Sequence, residues 1–136
     1  MAEERQVVPQ VVATSAAPAA IGPYSQAVRV GDWVHTSGQI ALDPQSMQLV
    51  GGGVADQTRQ VMRNLSAVLE EAGGSLASIV KTNIYMTDLG RFQELNEVYA
   101  EFFPNDPPAR ATVGVSALPA GAEVEIEVIA WIPTGA

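Results

Sequence analysis

Arg110 stands in Pro107-Pro108-Ala109-Arg110-Ala111-Thr112-Val113, at the mouth of an apolar run. Proline fixes φ, so the approaching backbone aims the side chain instead of leaving it loose. An aimed guanidinium offers parallel N–H donors that match the two oxygens of a carboxylate. The competing reading is a solvated arginine at a strand start. Glu125 is the second candidate. Glu123, Glu125 and Glu127 alternate along one face of a β-rich run, where like charges repel modestly. In a partly buried setting one of them could hold or activate a water. The alternative is a solvated acidic stripe, and spacing does not choose among the three. Ser37-Gly38-Gln39 follows a strand and could present a hydroxyl and backbone N–H groups to an anion, or could be a plain strand-end turn.

Other constellations carry less. Gly51-Gly52-Gly53 precedes a helix but lacks the G-K-[ST] of a phosphate loop. No G-x-S-x-G elbow is present, and His35, the only histidine, belongs to no readable triad. With no cysteine, a transition-metal site would lack its usual ligands, so His35 reads as structural and no metal is expected. Tyr24 and Asn96 are polar groups that general chemistry alone does not promote to a site.

The elements that must position these residues follow from periodicity. Val8–Thr14 reads as a short strand and Ala16–Pro23 as an ordered loop. Gln26–Val30 and Trp33–Ser37 flank Gly31-Asp32, a type II′ hairpin signal. Asp43-Pro44-Gln45-Ser46 is a turn, and the triple glycine a flexible break. Val54–Ala72 is the clearest helix, with Val54, Val61, Met62, Leu65, Val68, Leu69 and Ala72 on one face, stopped by Gly73-Gly74. Ile79–Met86 is a strand. Asp88 can cap a second helix over about Arg91–Phe103, with Phe92, Leu95, Tyr99, Phe102 and Phe103 inward. Pro104, Pro107 and Pro108 end it. Ala111–Ser116 and Glu123–Ile132 complete the strands. In the last strand Val124, Ile126, Val128 and Ala130 share one face, whereas the opposite face ends in Ile129 and Trp131, unlike a plain solvent face. The expected architecture is α+β: a mixed sheet with two helices on one face and a second subunit on the other.

The 136 residues fit one domain over 1–136, with a frayed tail at 1–7. A net charge of −8 with seven basic residues disfavours nucleic acid and anionic membrane surfaces. No apolar run approaches the roughly 20 residues of a membrane span. Met1–Gln10 lacks a signal-peptide core, so a cytoplasmic location is expected.

Several segments in order, about Ala17 to Trp131, resemble the RidA (YjgF) family of imine deaminases. They are Ala19-Ala20-Ile21-Gly22-Pro23-Tyr24-Ser25-Gln26, Thr36-Ser37-Gly38-Gln39-Ile40, Ile79-Val80-Lys81-Thr82 with Thr87-Asp88-Leu89, and Leu95-Asn96 with Tyr99 and Phe102-Phe103. Pro108-Ala109-Arg110, Leu118-Pro119 and Val124-Glu125-Ile126-Glu127 follow. The resemblance implies a homotrimer of chorismate-mutase-like subunits with sites in the clefts between them. It implies cofactor-free hydrolysis of 2-imino acids, such as 2-iminopropanoate or 2-iminobutanoate, to 2-keto acids and ammonia. By the same likeness Arg110 binds the substrate carboxylate and Glu125 positions the attacking water. Tyr24, Ser37 and Asn96 line the pocket, and Gly38 offers a backbone contact. Thr112 stands where the best-known branch often has cysteine, a departure that bears on substrate preference. Rival readings are a carboxylate-binding regulatory module without turnover, a ribonuclease or translation inhibitor opposed by the −8 charge, and a chaperone-like surface.

Overall fold

A computed structural model describes residues 8–134. The expected tail at 1–7 lies outside the described residues. Six strands form one sheet in the order β1-β2-β3-β6-β4-β5. They are β1 (Gln10–Val12), β2 (Ala27–Val30), β3 (Trp33–Thr36), β4 (Ile79–Met86), β5 (Ala109–Gly114) and β6 (Val124–Trp131). Only β4 and β5 pair in parallel; the other neighbours are antiparallel, so the sheet is mixed as expected. A parallel pair needs a crossover. Helix α2 (Phe92–Phe102) supplies it between β4 and β5, while α1 (Gly53–Glu71) joins β3 to β4.

The expected hairpin forms with Val30 opposite Trp33. Gly31 has φ +60 while Asp32 is not among the positive-φ residues, the sign pattern of a II′ turn. The first strand is shorter than expected, three residues instead of the span Val8–Thr14. Beyond it Thr14, Ala17 and Pro18 bond to the Gln26 side chain and leave the ladder.

Helix α1 buries Val54, Val61, Met62, Leu65, Val68 and Leu69, as its apolar spacing requires. It ends where expected. Gly73 adopts φ +92, and the N–H groups of Gly73 and Gly74 return to the carbonyls of Glu70 and Leu69 at 2.9 Å. That is the Schellman closure, which a side chain at the left-handed position would strain. The second helix differs from expectation at its start. Asp88 caps a separate 3-10 turn over Leu89–Arg91 by accepting from Gly90 N–H at 2.9 Å, and α2 begins at Phe92 without a side-chain cap.

Strand β4 carries a bulge. Its register slips between Ile79 and Lys81, which leaves Val80 exposed and turns Thr82, Ile84 and Met86 to the helix face. The parallel register then pairs Thr82 with Arg110 and Ile84 with Thr112, so Arg110 and Thr112 also face α2. Strand β5 starts at Ala109, two residues earlier than expected, because Lys81 already pairs with Ala109. Arg110 therefore lies inside the strand, not ahead of it.

In β6 the even residues Val124, Ile126, Val128 and Ala130 are buried, as the alternation predicts. The other face presents Trp33 and Trp131, register partners that are 44% and 49% exposed in the single chain. Asn64, buried on α1, donates to the carbonyls of Leu42 at 3.0 Å and Ile40 at 3.3 Å, tying that loop to the helix. Replacement Asn64→Leu leaves both carbonyls without that donor. It should lower unfolding free energy by about 1–3 kcal/mol in urea titration, and a change under about 0.5 kcal/mol would show the loop to be held by other means.

Candidate functional site

The candidate residues divide into two groups on opposite faces of the sheet. The first gathers under α2. The Arg110 guanidinium carbon lies 5.3 Å from the Phe92 ring centroid and 5.0 Å from that of Tyr99. Ring faces are electronegative, so they attract the cation without occupying its N–H donors. Tyr99 is fixed in turn: its hydroxyl sits 2.9 Å from Thr82 Oγ1, and its ring packs on Phe103 at 4.7 Å. Burial pushes the Tyr99 phenol above its ordinary value. The other described arginines with polar partners are spent differently. Arg59 and Arg91 pair with carboxylates, and Arg29 with backbone carbonyls. Among the described residues no carboxylate lies within salt-bridge distance of Arg110.

Asn96 lies one turn after Phe92 and just under a turn before Tyr99, on the same face of α2. Thr112 follows Arg110 by two residues on the same face of β5. Asn96 Oδ1 and Thr112 Oγ1 are the buried side-chain polar atoms that lack a hydrogen-bond partner among the described residues. The candidates Asn96, Arg110 and Thr112 thus lie on the facing sides of α2 and β5. Phe92 and Tyr99 were expected as core and prove also to hold Arg110. Their seven-residue spacing opposite a basic strand residue was the signal that could have revealed it.

The second group lies on the face away from the helices. Tyr24, Gly38 and Glu125 line a cavity of about 400 Å³ whose other walls include Pro18, Ile21, Ile40, Leu42 and Pro119. The cavity wall is built from two hydrogen-bonded supports. Gln39 exchanges backbone bonds with Ile126 at 2.8 and 3.1 Å, which seats Gly38 against Glu125. The buried Gln26 side chain accepts from Thr14 N–H and donates to the carbonyls of Thr14, Ala17 and Pro18, which holds the loop in front of Tyr24. A Cβ on Gly38 would come within 2.8 Å of Glu125 Cδ, so this position is glycine because the carboxyl lies over it.

The structure also separates the three glutamates that spacing left equivalent. Glu123 engages Gln57, its N–H donating at 2.8 Å and its carboxylate accepting at 3.4 Å. Glu127 accepts from Tyr85 at 2.7 Å and Asn83 at 3.4 Å. No described residue donates to Glu125. Burial, with a smaller contribution from the charge of Glu127, holds its carboxyl above the ordinary 4.5. Ser37 departs from expectation. Its hydroxyl donates to the Ser25 carbonyl at 2.6 Å, and it is not among the cavity walls, so it fixes the loop after Tyr24 instead. Tyr24, half-exposed, accepts from Ile21 N–H at 3.1 Å.

A model of the family described as Endoribonuclease L-PSP matches residues 14–132. The 2-iminobutanoate/2-iminopropanoate deaminase of Mus musculus is 47% identical over 124 residues, which span 91% of this chain and 92% of the relative. The crystal structure of RidA from the Antarctic bacterium Psychrobacter sp. is 50% identical, covers 90% of this chain and 99% of its own, and superposes with a TM-score of 0.88. The YjgF gene product from E. coli is 42% identical, with coverage of 90% and 98% and a TM-score of 0.86. With its motifs, its sheet order and its matched span in agreement, the chain belongs to the Endoribonuclease L-PSP, or RidA, family.

Proposed function

We propose that this protein hydrolyses 2-imino acids to 2-keto acids and ammonia, without a cofactor, at a site shared between copies of the chain in a cytoplasmic homotrimer. The observation that carries the reading is Arg110: a half-buried cation held by two rings, with no carboxylate partner among the described residues. The deaminase names of the relatives support the reaction class.

Arg110 takes the substrate carboxylate through paired charge-assisted hydrogen bonds, which turns attack by water into an oriented, near-unimolecular step. Tyr24, Asn96 and Thr112 line the pocket, and Gly38 lets Glu125 approach. Glu125 accepts a proton from water as the oxygen bonds to the carbon of the protonated imine, and the C=N π pair goes to nitrogen, which becomes a neutral amine. Returning that proton to nitrogen makes an ammonium leaving group. The C–N bond breaks with its electron pair on nitrogen, the hydroxyl passes its proton through Glu125 to the departing ammonia, and the carbon is left as the ketone.

Both groups cannot serve one substrate from a single sheet, because Arg110 faces α2 and Glu125 faces away. The exposed Trp33–Trp131 face supports packing against a second copy, and so does the way each half-site lacks the other's chemistry. The family description keeps an endoribonuclease reading in view, but a chain of net charge −8 is poorly suited to a polyanion. RNA cleavage by purified protein that Arg110→Ala leaves unchanged would favour that reading.

Arg110→Ala should lower kcat/KM for a freshly generated imine on the order of 10² or more, and Glu125→Gln should lower kcat by a similar factor. Coexpressing the two inactive variants tests the sharing. Each junction in a cyclic assembly pairs an intact arginine with an intact glutamate in about one quarter of random cases, so activity should recover to about 25% of wild type. No recovery in mixed assemblies, verified by mass, would place both groups in one chain and overturn the shared site. Gly38→Ala should leave the fold intact but displace the Glu125 carboxyl and lower kcat; an unchanged kcat removes the need for that contact.

Stability gives a separate check on Glu125. Its carboxyl is raised in the folded state, so the neutral form is favoured there, and the favourable contribution is lost as pH rises through the raised value. Glu125→Gln should therefore be more stable than wild type at neutral pH, with the advantage shrinking as pH falls through the raised value and gone below the ordinary 4.5. A variant less stable at pH 7 in thermal melts would assign the carboxylate a structural role.

A further inference from the structure

On the face of α2 whose Phe92 and Tyr99 hold Arg110, the structure carries a group that a pure carboxylate site does not need. Asn96 Oδ1 is an acceptor, buried, and without a donor among the described residues. A carboxylate brings only more acceptors, and facing one with a buried amide oxygen costs free energy. The guanidinium does not satisfy this oxygen either, although Arg110 rests on Phe92 and Tyr99, the residues that flank Asn96 on its helix face. The unmet capacity of the pocket is therefore mixed: N–H donors on Arg110, a hydroxyl on Thr112 that can donate or accept, and one amide acceptor on Asn96. A ligand that meets all three carries a carboxylate and, next to it, an N–H.

We propose that Asn96 Oδ1 accepts a hydrogen bond from the nitrogen on the carbon next to the substrate carboxylate, so that the pocket selects the 2-imino acid over the 2-keto acid it becomes. The inference rests on the deaminase reading and deepens it. Hydrolysis replaces C=NH by C=O, which exchanges a donor for an acceptor at that position. The product then faces Asn96 Oδ1 with a lone pair, loses the bond and leaves. A site built to bond an N–H rejects an analogue lacking it more strongly than shape alone would, because its own buried group goes unpaired. Thr112 bonds the carboxylate and takes no part in this discrimination. It lies on β5 with Arg110, across from α2.

Oxamate and pyruvate test the proposal. Both are small planar α-substituted carboxylates of equal charge, and only oxamate has N–H groups on the neighbouring carbon. By calorimetry the assembled wild-type protein should bind oxamate about tenfold more tightly, the ratio one net buried hydrogen bond sustains. Asn96→Leu and Asn96→Ala should reduce the ratio to about one by weakening oxamate while leaving pyruvate within about twofold. Thr112→Val should weaken both and keep the ratio. Simple damage to the fold would weaken both ligands in the Asn96 variants, so a selective loss separates recognition from structure. Equal binding by wild type overturns the proposal, as a donor from a neighbouring copy would already occupy Asn96. An oxamate preference that survives both Asn96 variants overturns it as well. Arg110→Ala guards the underlying reading: it should weaken both ligands, and if it changes neither, the carboxylate assignment itself fails.

Discussion

The fold is organised around a cation that has been taken partly out of water and given no anion. Removing a guanidinium from solvent is costly unless something replaces its hydration. Here the replacement is the π face of Phe92 and of Tyr99. Such contacts contribute about 0.5–2 kcal/mol and take up none of the N–H donors in hydrogen bonds. The donors stay available. A carboxylate from the chain would hold Arg110 more firmly and would also occupy the donors that a substrate carboxylate requires. Ring faces position the charge without quenching it.

Most of the sheet can be read as what this arrangement requires. The bulge at Val80 sets the phase of β4, and the parallel register passes that phase to β5, so Arg110 points at the crossover helix. The crossover exists because β4 and β5 are parallel, and its helix carries Phe92, Asn96 and Tyr99 on the face it turns to the strand. Strict alternation then has an unavoidable consequence for Glu125. It stands on β6, across β4 from the strand of Arg110 and on the opposite face, so no local adjustment brings it to the Arg110 side. In the proposed reading a sheet that separates a positive and an unpaired negative group in this way gains a joint site by repeating itself around an axis.

Much of this was legible from residue order, and the failures have identifiable causes. Helix α1 and strands β4 and β6 were readable because their periodic burial is long and uninterrupted, and β4 agrees to the residue. The prolines just before Arg110 singled it out as a candidate. Its place within β5 was not, because pairing with Lys81 and Thr82 extends the strand backwards into a segment that local composition marks as a proline-bound approach. Asp88 misled because a capping residue looks the same before a 3-10 turn as before an α-helix. The choice among Glu123, Glu125 and Glu127 was beyond any local pattern. It depends on Gln57, Tyr85 and Asn83, which come from other elements and supply donors to two of the three. Ser37 carried the right motif and a different task, since the carbonyl that claims its hydroxyl lies 12 residues earlier.

That last contrast generalises within the molecule. Buried polar groups that build the fold are satisfied by it: Gln26 with four bonds, Asn64 with three, Thr58 and Thr82 with one each. Such groups return the free energy of their desolvation as order in a loop or a helix turn. Arg110, Asn96, Thr112 and Glu125 are different, for the described chain leaves each without a hydrogen-bond or ion-pair partner. Each buried group left so lowers a stability that is small to begin with. Asn96 and Thr112 present buried atoms of this kind, and Arg110 and Glu125 are half-buried. In the proposed reading a ligand completes all four. There the deficit in hydrogen bonding locates the site, and the chemistry of the missing partners, two acceptor oxygens beside an N–H and a water, describes the molecule expected.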